Sequence, residues 1–188
     1  MSKLLFYCTK SKLRLFFDKI KQIFLLHTIK NNNDLNGKIV AESDFEIEEI
    51  SVEKCMICEN YTTNTLDMNH LLKKSCVTEH ELINYEPHYA IHIKNLKIYD
   101  KPKELNSCYT DKLYNDINKI FTNEVKIDGK WYRPVDRAPQ NMMRVKRVLQ
   151  EDGILISVRP KHMFNILSGF KDIELRRVIL KEMLNNKH

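Results

Sequence analysis

The last 36 residues of the chain hold more strand than they can bury by themselves. Ile154–Val158 is an apolar run that ends in Arg159-Pro160. A short helical stretch follows, Gly169 stops it, and Ile173 and Leu175 then alternate with Glu174 and Arg176. Proline at the first helical position and glycine just past the last are the usual punctuation of such a helix, and Met163, Phe164, Ile166 and Leu167 supply its apolar face. Two strands and one helix over so few residues leave too much apolar surface in water to be stable alone. Residues 153–188 must therefore add to a sheet that the earlier chain builds.

That sheet is legible upstream. In Ile39–Ile50, Ile39, Ala41, Ser43, Phe45 and Ile47 fall on one face and Glu42, Asp44, Glu46 and Glu48 on the other, a strand with one buried side. Tyr89–Tyr99 is another strand. There Ile91 and Ile93 set a phase that Leu96 and Ile98 shift by one residue, which predicts a β-bulge near Lys94-Asn95. His92 falls on the outward phase and reads as a plain surface histidine. Residues 64–85 predict two short helices, the second capped by Thr78 with Glu81 three residues on.

Other stretches are less specific. Lys3–Thr9 reads as a short buried strand. Residues 11–30 fit two descriptions, a helix with Leu13, Phe16, Phe17, Ile20, Ile23 and Phe24 on one face, or a strand over Phe24–Ile29. Asn36-Gly37 is a strong turn signal. Residues 106–152 read as an irregular connector anchored in the core by Trp131-Tyr132.

Composition narrows the class. With 43% hydrophobic and 30% charged residues among 188, the chain suits one domain. Five cysteines and an N-terminus unlike an export signal point to a reducing cytoplasm. No apolar run approaches the roughly 18 residues that cross a bilayer, so no membrane partner is expected. The net charge of +6 is uneven: residues 1–30 carry seven Lys/Arg against one acid, 130–150 six against one, and 153–188 seven against three. Such a field favours phosphate-bearing partners, the simpler alternative being solubilising charge. Cys55 and Cys58 have zinc-knuckle spacing, with His70, Cys76 and His80 nearby, but no second ligand pair is recognisable. Unpaired thiols are the favoured reading, with no metal and no cofactor.

Several blocks resemble the ASCH family, PUA-like β-barrels associated with RNA. They are KLLFYCTKSK and GKIVAESDFEIEEI, then SCVTEHELINY leading into YAIHIKNLKIYDKPKEL, and RAPQNMMRV, together with the closing ILISVRPKHMFNILSGFKDIELRRVI. In bacterial and phage members the last of these comes first. The resemblance implies an α+β class, a PUA-like mixed β-barrel with short flanking helices, circularly permuted within a single domain over 1–188. Residues 1–105 would hold the central and closing strands, 106–152 the connector and 153–188 the displaced opening segment. A complete first module followed by a broken second one is the competing reading. Strand 3–9 would pair with strand 171–177.

The closing strand also carries the main site candidates. Alternation sends Ile173 and Leu175 inward and leaves Glu174 and Arg176 facing out of the barrel. Lys171 and Arg176 suit a phosphate, the first as a point charge and the second as a bidentate fork, and Glu174 can orient them or accept from a base amino group. A surface salt-bridged hairpin is the competing description. Arg159 and Lys10 would join the same rim, and Gln140 and Asn141 carry amides able to read base edges. Met142 stands where relatives often have Trp, which weakens the case for a stacking platform there. Tyr132 and Trp131 are the substitutes for it, with a core anchor the favoured reading of both.

The expected function is a cytoplasmic RNA-binding module using Lys171, Glu174, Arg176, Arg159, Lys10 and Gln140. The alternatives are a small nucleoside-processing hydrolase and a non-catalytic phage accessory protein. Some ASCH proteins resemble an amidohydrolase of acylated cytidine that uses a Lys and a Thr three residues later. Lys171 matches that Lys, but Glu174 replaces the Thr, so catalysis by Lys171 and Glu174 is the less favoured reading.

Overall fold

The computed structural model describes residues 22–27, 37–54, 61–64, 66–110, 123–127, 129–146 and 152–184. Residues 3–9, Lys10, Cys55 and Cys58 lie outside them. The class is α+β, dominated by one sheet of nine strands. In chain order the strands are β1 (Gln22–His27), β2 (Lys38–Glu49), β3 (Val52–Lys54), β4 (Tyr61–Thr63), β5 (Tyr89–Glu104), β6 (Tyr109–Thr110), β7 (Val125–Ile127), β8 (Lys130–Pro134), β9 (Met142–Lys146), β10 (Asp152–Val158) and β11 (Ile173–Arg176). Helices are α1 (Met68–Ser75), α2 (Glu79–Tyr85), α3 (Pro160–Leu167) and α4 (Lys181–Leu184). The sheet order is β11-β5-β2-β1-β10-β9-β6-β8-β7, and β3 and β4 form a separate pair.

The ambiguous segment before residue 30 supplies a central strand. β1 pairs antiparallel with β2 and parallel with β10, and Ile23, Phe24, Leu25 and Leu26 are all buried. Ile23 and Leu25 pack into one core with Ile154, Ile156 and the Met163 and Ile166 of α3, while Phe24 and Leu26 face a second core with Leu155, Met143, Val145 and Val135. A strand covered on both faces reads as an unbroken apolar run, which is why its sequence shows no alternation.

The β-bulge appears where the pattern shifts. Asn95 takes a left-handed backbone (φ 51°) and donates to Asp44 Oδ2 at 2.8 Å, and the β2–β5 register slips between Glu42 and Asp44. The helices over 64–85 form as read, α2 beginning with the reciprocal Thr78–Glu81 capping box. His92 is half-buried and its Nε2 lies 2.9 Å from Glu48 Oε2.

Three expectations change. Residues 106–152 carry the strands β6, β7, β8 and β9, which extend the sheet at its far end. Trp131 is no core anchor, being 60% exposed. The pairing expected between strand 3–9 and strand 171–177 lies outside the described residues, within which β11 pairs with β5 and β10 lies beside the early strand β1. The sheet is also open, with no ladder joining β7 to β11 among the described residues.

It is nonetheless strongly curled. β11 and β10 stand four places apart, about 19 Å in a flat sheet. Yet Arg176 on β11 donates to the Ser157 carbonyl of β10 at 2.8 Å. One arginine cannot span the flat distance, so the sheet folds toward itself around α3.

Candidate functional site

β11 runs against β5 with Glu174 opposite Ile91, so Glu174 shares the face of the Ile91 and Ile93 core. Ile173 and Leu175 point the other way, into a cluster with Leu71 of α1 and Leu82 of α2. The expected inside and outside are thus exchanged. Alternation identifies two faces but cannot say which one a curled sheet encloses, and here helices cover the convex face as well.

The consequence is a charge array in a nearly dry place. Lys171 is 3% exposed and Glu174 7%. Lys171 Nζ donates to the Ser75 carbonyl at 2.6 Å and lies 3.3 Å from Glu174 Oε2. Arg176 Nη2 lies 2.9 Å from Glu174 Oε1, and its Nη1 donates to Asn141 Oδ1 at 2.6 Å. Most donors of both cations are therefore held by the protein, so they orient Glu174 more than they offer themselves to a phosphate. The description as a surface salt-bridged hairpin is overturned by this burial.

Local structure explains the placement of Lys171. Gly169, at φ +75°, turns the chain after α3, and the backbone N–H groups of Phe170 and Lys171 donate to the Asn165 carbonyl, each at 3.0 Å. Asp172 then locks the turn to α1, accepting from Lys74 Nζ at 2.6 Å while its N–H donates to the Lys74 carbonyl at 3.0 Å. α1 ends at Cys76 in a left-handed conformation, and Lys171 satisfies the Ser75 carbonyl at that end.

A cavity of about 900 Å³ opens beside this array. Lys171, Glu174, Arg176, Arg159 and Gln140 all line it, together with His162 of α3 and Tyr85 of α2. Arg159 and Gln140 are exposed, and Arg159 has no ion-pair partner among the described residues. Asn141 is less available than its neighbour, because its Nδ2 donates to the Val178 carbonyl at 3.1 Å while Oδ1 serves Arg176. Met142 is buried in the core. Among the described residues no three His, Cys, Asp or Glu side chains gather as a metal site. Comparison with family models, curated proteins and solved structures finds no match to this chain. The site is read from its own geometry.

Two further wall residues were not site candidates, Glu81 being read only as a helix cap and His162 carrying no sequence signal. Glu81 of α2 lies 3.1 Å from Lys161, eighty positions away, and the Thr78 backbone and side chain together with Lys161 hold its carboxyl down at about 2. His162 is half-buried and its Nδ1 makes no hydrogen bond. Burial pushes its pKa below the ordinary 6.5, and the Lys171 ammonium acts in the same direction against a smaller pull from Glu174. The unfolded chain therefore takes up this proton first as pH falls. The histidine's contribution to stability is complete above pH 6.5 and is lost as pH drops from there through the lowered value. His162→Gln should consequently lose less melting temperature than the parent between about pH 7.5 and 5.5. Equal losses would remove His162 from the acid response.

Proposed function

We propose that the protein is an RNA-binding module that admits an unpaired nucleotide to the cavity. The observation that carries this reading is the buried Lys171–Glu174–Arg176 chain on the wall of an open cavity. Buried charges are costly to keep and concentrate where a protein has work for them. Glu174, oriented by two cations, accepts from an exocyclic amino group of the base, a contact carboxylates make with cytosine. Arg159 meets the phosphate at the mouth and Gln140 the base edge. Single-stranded RNA suits such a cavity because its bases can be splayed out and read on their edges.

The relation to the ASCH family and the permuted order belong to the same reading, as do its cytoplasmic setting and phage-type origin. The permuted order is supported by the parallel β1–β10 pair, which sets the last strand–helix–strand unit against an early strand. No described helix is long and apolar enough to cross a membrane.

Titration of a labelled single-stranded RNA at two ionic strengths tests the reading. Affinity should fall with salt by about 0.7 logarithmic units per phosphate contact for each decade of salt. Arg159→Ala should reduce that slope by about the contribution of one contact, with the melting temperature unchanged because the side chain is exposed. Binding that ignores salt would reject the proposal.

A second reading has one observation in its favour. Lys171 Nζ and Glu174 Oε2 are 3.3 Å apart in a nearly dry cavity wall, and Oε2 has no hydrogen bond of its own. Such a pair can pass a proton during hydrolysis of a small acylated nucleoside. Incubation with acylated cytidine at high enzyme concentration, followed by chromatography, decides it, and absence of turnover ends that case.

A further inference from the structure

We propose that the β7–β8 hairpin is a second RNA contact, in which Trp131 stacks on an unpaired base and Lys126 meets the adjoining phosphate. This rests on the RNA reading above but uses different residues. Tryptophan is among the most buried side chains on average, yet Trp131 is 60% exposed on a short hairpin at the end of the sheet. Its cross-strand partner is Lys126, whose Nζ lies 5.7 Å from the ring centroid. On the other face Tyr132 has Lys130 at 6.0 Å and Lys146 at 5.6 Å from its ring. Aromatic rings set among cations are the working surface of single-strand binders, since every base has a face to stack and a phosphate to pair.

Continuity with the cavity selects this occupant. β9 starts just after Asn141 on the cavity wall and ends at Lys146 beside Tyr132, about 17 Å along an extended chain. Arg144 shares the face of Lys146, two residues away, so a cationic path leads from the cavity to the Tyr132 face of the hairpin. A strand following it reaches Trp131 by passing round the hairpin. An acidic peptide would engage the lysines and leave the indole idle. A duplex would keep its bases stacked and out of reach.

The chain has one tryptophan, so its fluorescence reports on position 131 alone. Unlabelled single-stranded RNA should quench the emission saturably, whereas the same sequence as a duplex, or polyglutamate, should not. Trp131→Ala should weaken anisotropy-detected binding of labelled single strand roughly tenfold, with Trp131→Phe retaining most of the affinity. Melting curves of both variants should match the parent, because the side chain is exposed. Quenching that persists in Arg159→Ala would support an independent contact. RNA binding without quenching, and with Trp131→Ala unaffected, overturns the hairpin contact and leaves the cavity reading standing. Equal quenching by polyglutamate also overturns it. Absence of any RNA binding removes both.

Discussion

Replacing Glu174 by alanine should lower the stability of the protein by about 3–5 kcal/mol, roughly 10 °C in melting temperature for a chain of this size. The carboxylate stands between Lys171 and Arg176, with all three side chains nearly shut off from solvent. Without it two cations face one another in a place with little water to screen them, and breaking a buried pair costs far more than the pair contributes. Glu174→Gln should be the milder change, since the amide oxygen still accepts from Arg176. The loss should also persist at high salt, because buried charges are poorly screened. Chemical denaturation at two salt concentrations checks both points. A loss below about 1 kcal/mol would mean that the array is wetter than its burial indicates.

Gly153→Ala should be comparably damaging for a purely steric reason. Gly153 sits in β10 opposite Gln22 of β1, and an added Cβ would overlap the ring of Phe24. That ring is itself 1% exposed and packed among Met143, Val145 and Leu155, so it has nowhere to move. Overpacking of this kind costs about 1–3 kcal/mol, and the upper end is expected where both strands are held in ladders on either side. Phe24→Leu should recover part of the loss in the double variant, although alone it destabilises by removing buried contacts. Urea unfolding of the parent, both single variants and the double variant measures that coupling. Independent losses that simply add would show that the two positions do not touch.

The same glycine shows how far the sequence could be read. Its requirement comes from a residue about 130 positions away, and nothing near Gly153 announces it. By contrast, β2 was legible because one face is wet, which leaves alternation in the sequence, and α2 because Thr78 and Glu81 cap it within a single turn. The bulge at Asn95 was legible because a two-residue period registers a slip of one. β1 was not, since burial of both faces erases the period that separates strand from helix.

The site divides along the same line. Lys171, Glu174 and Arg176 fall together within six consecutive residues, so the sequence already determined that one turn and strand would carry the charges. That Arg159 and Gln140 join them, that Ser75, Asn141 and Ser157 hold the cations in place, and that His162 completes the wall were decided by the tertiary structure. So was the direction in which Glu174 points. Local pattern specifies which residues share a face of a strand, whereas only the curl of the whole sheet determines which face becomes the inside.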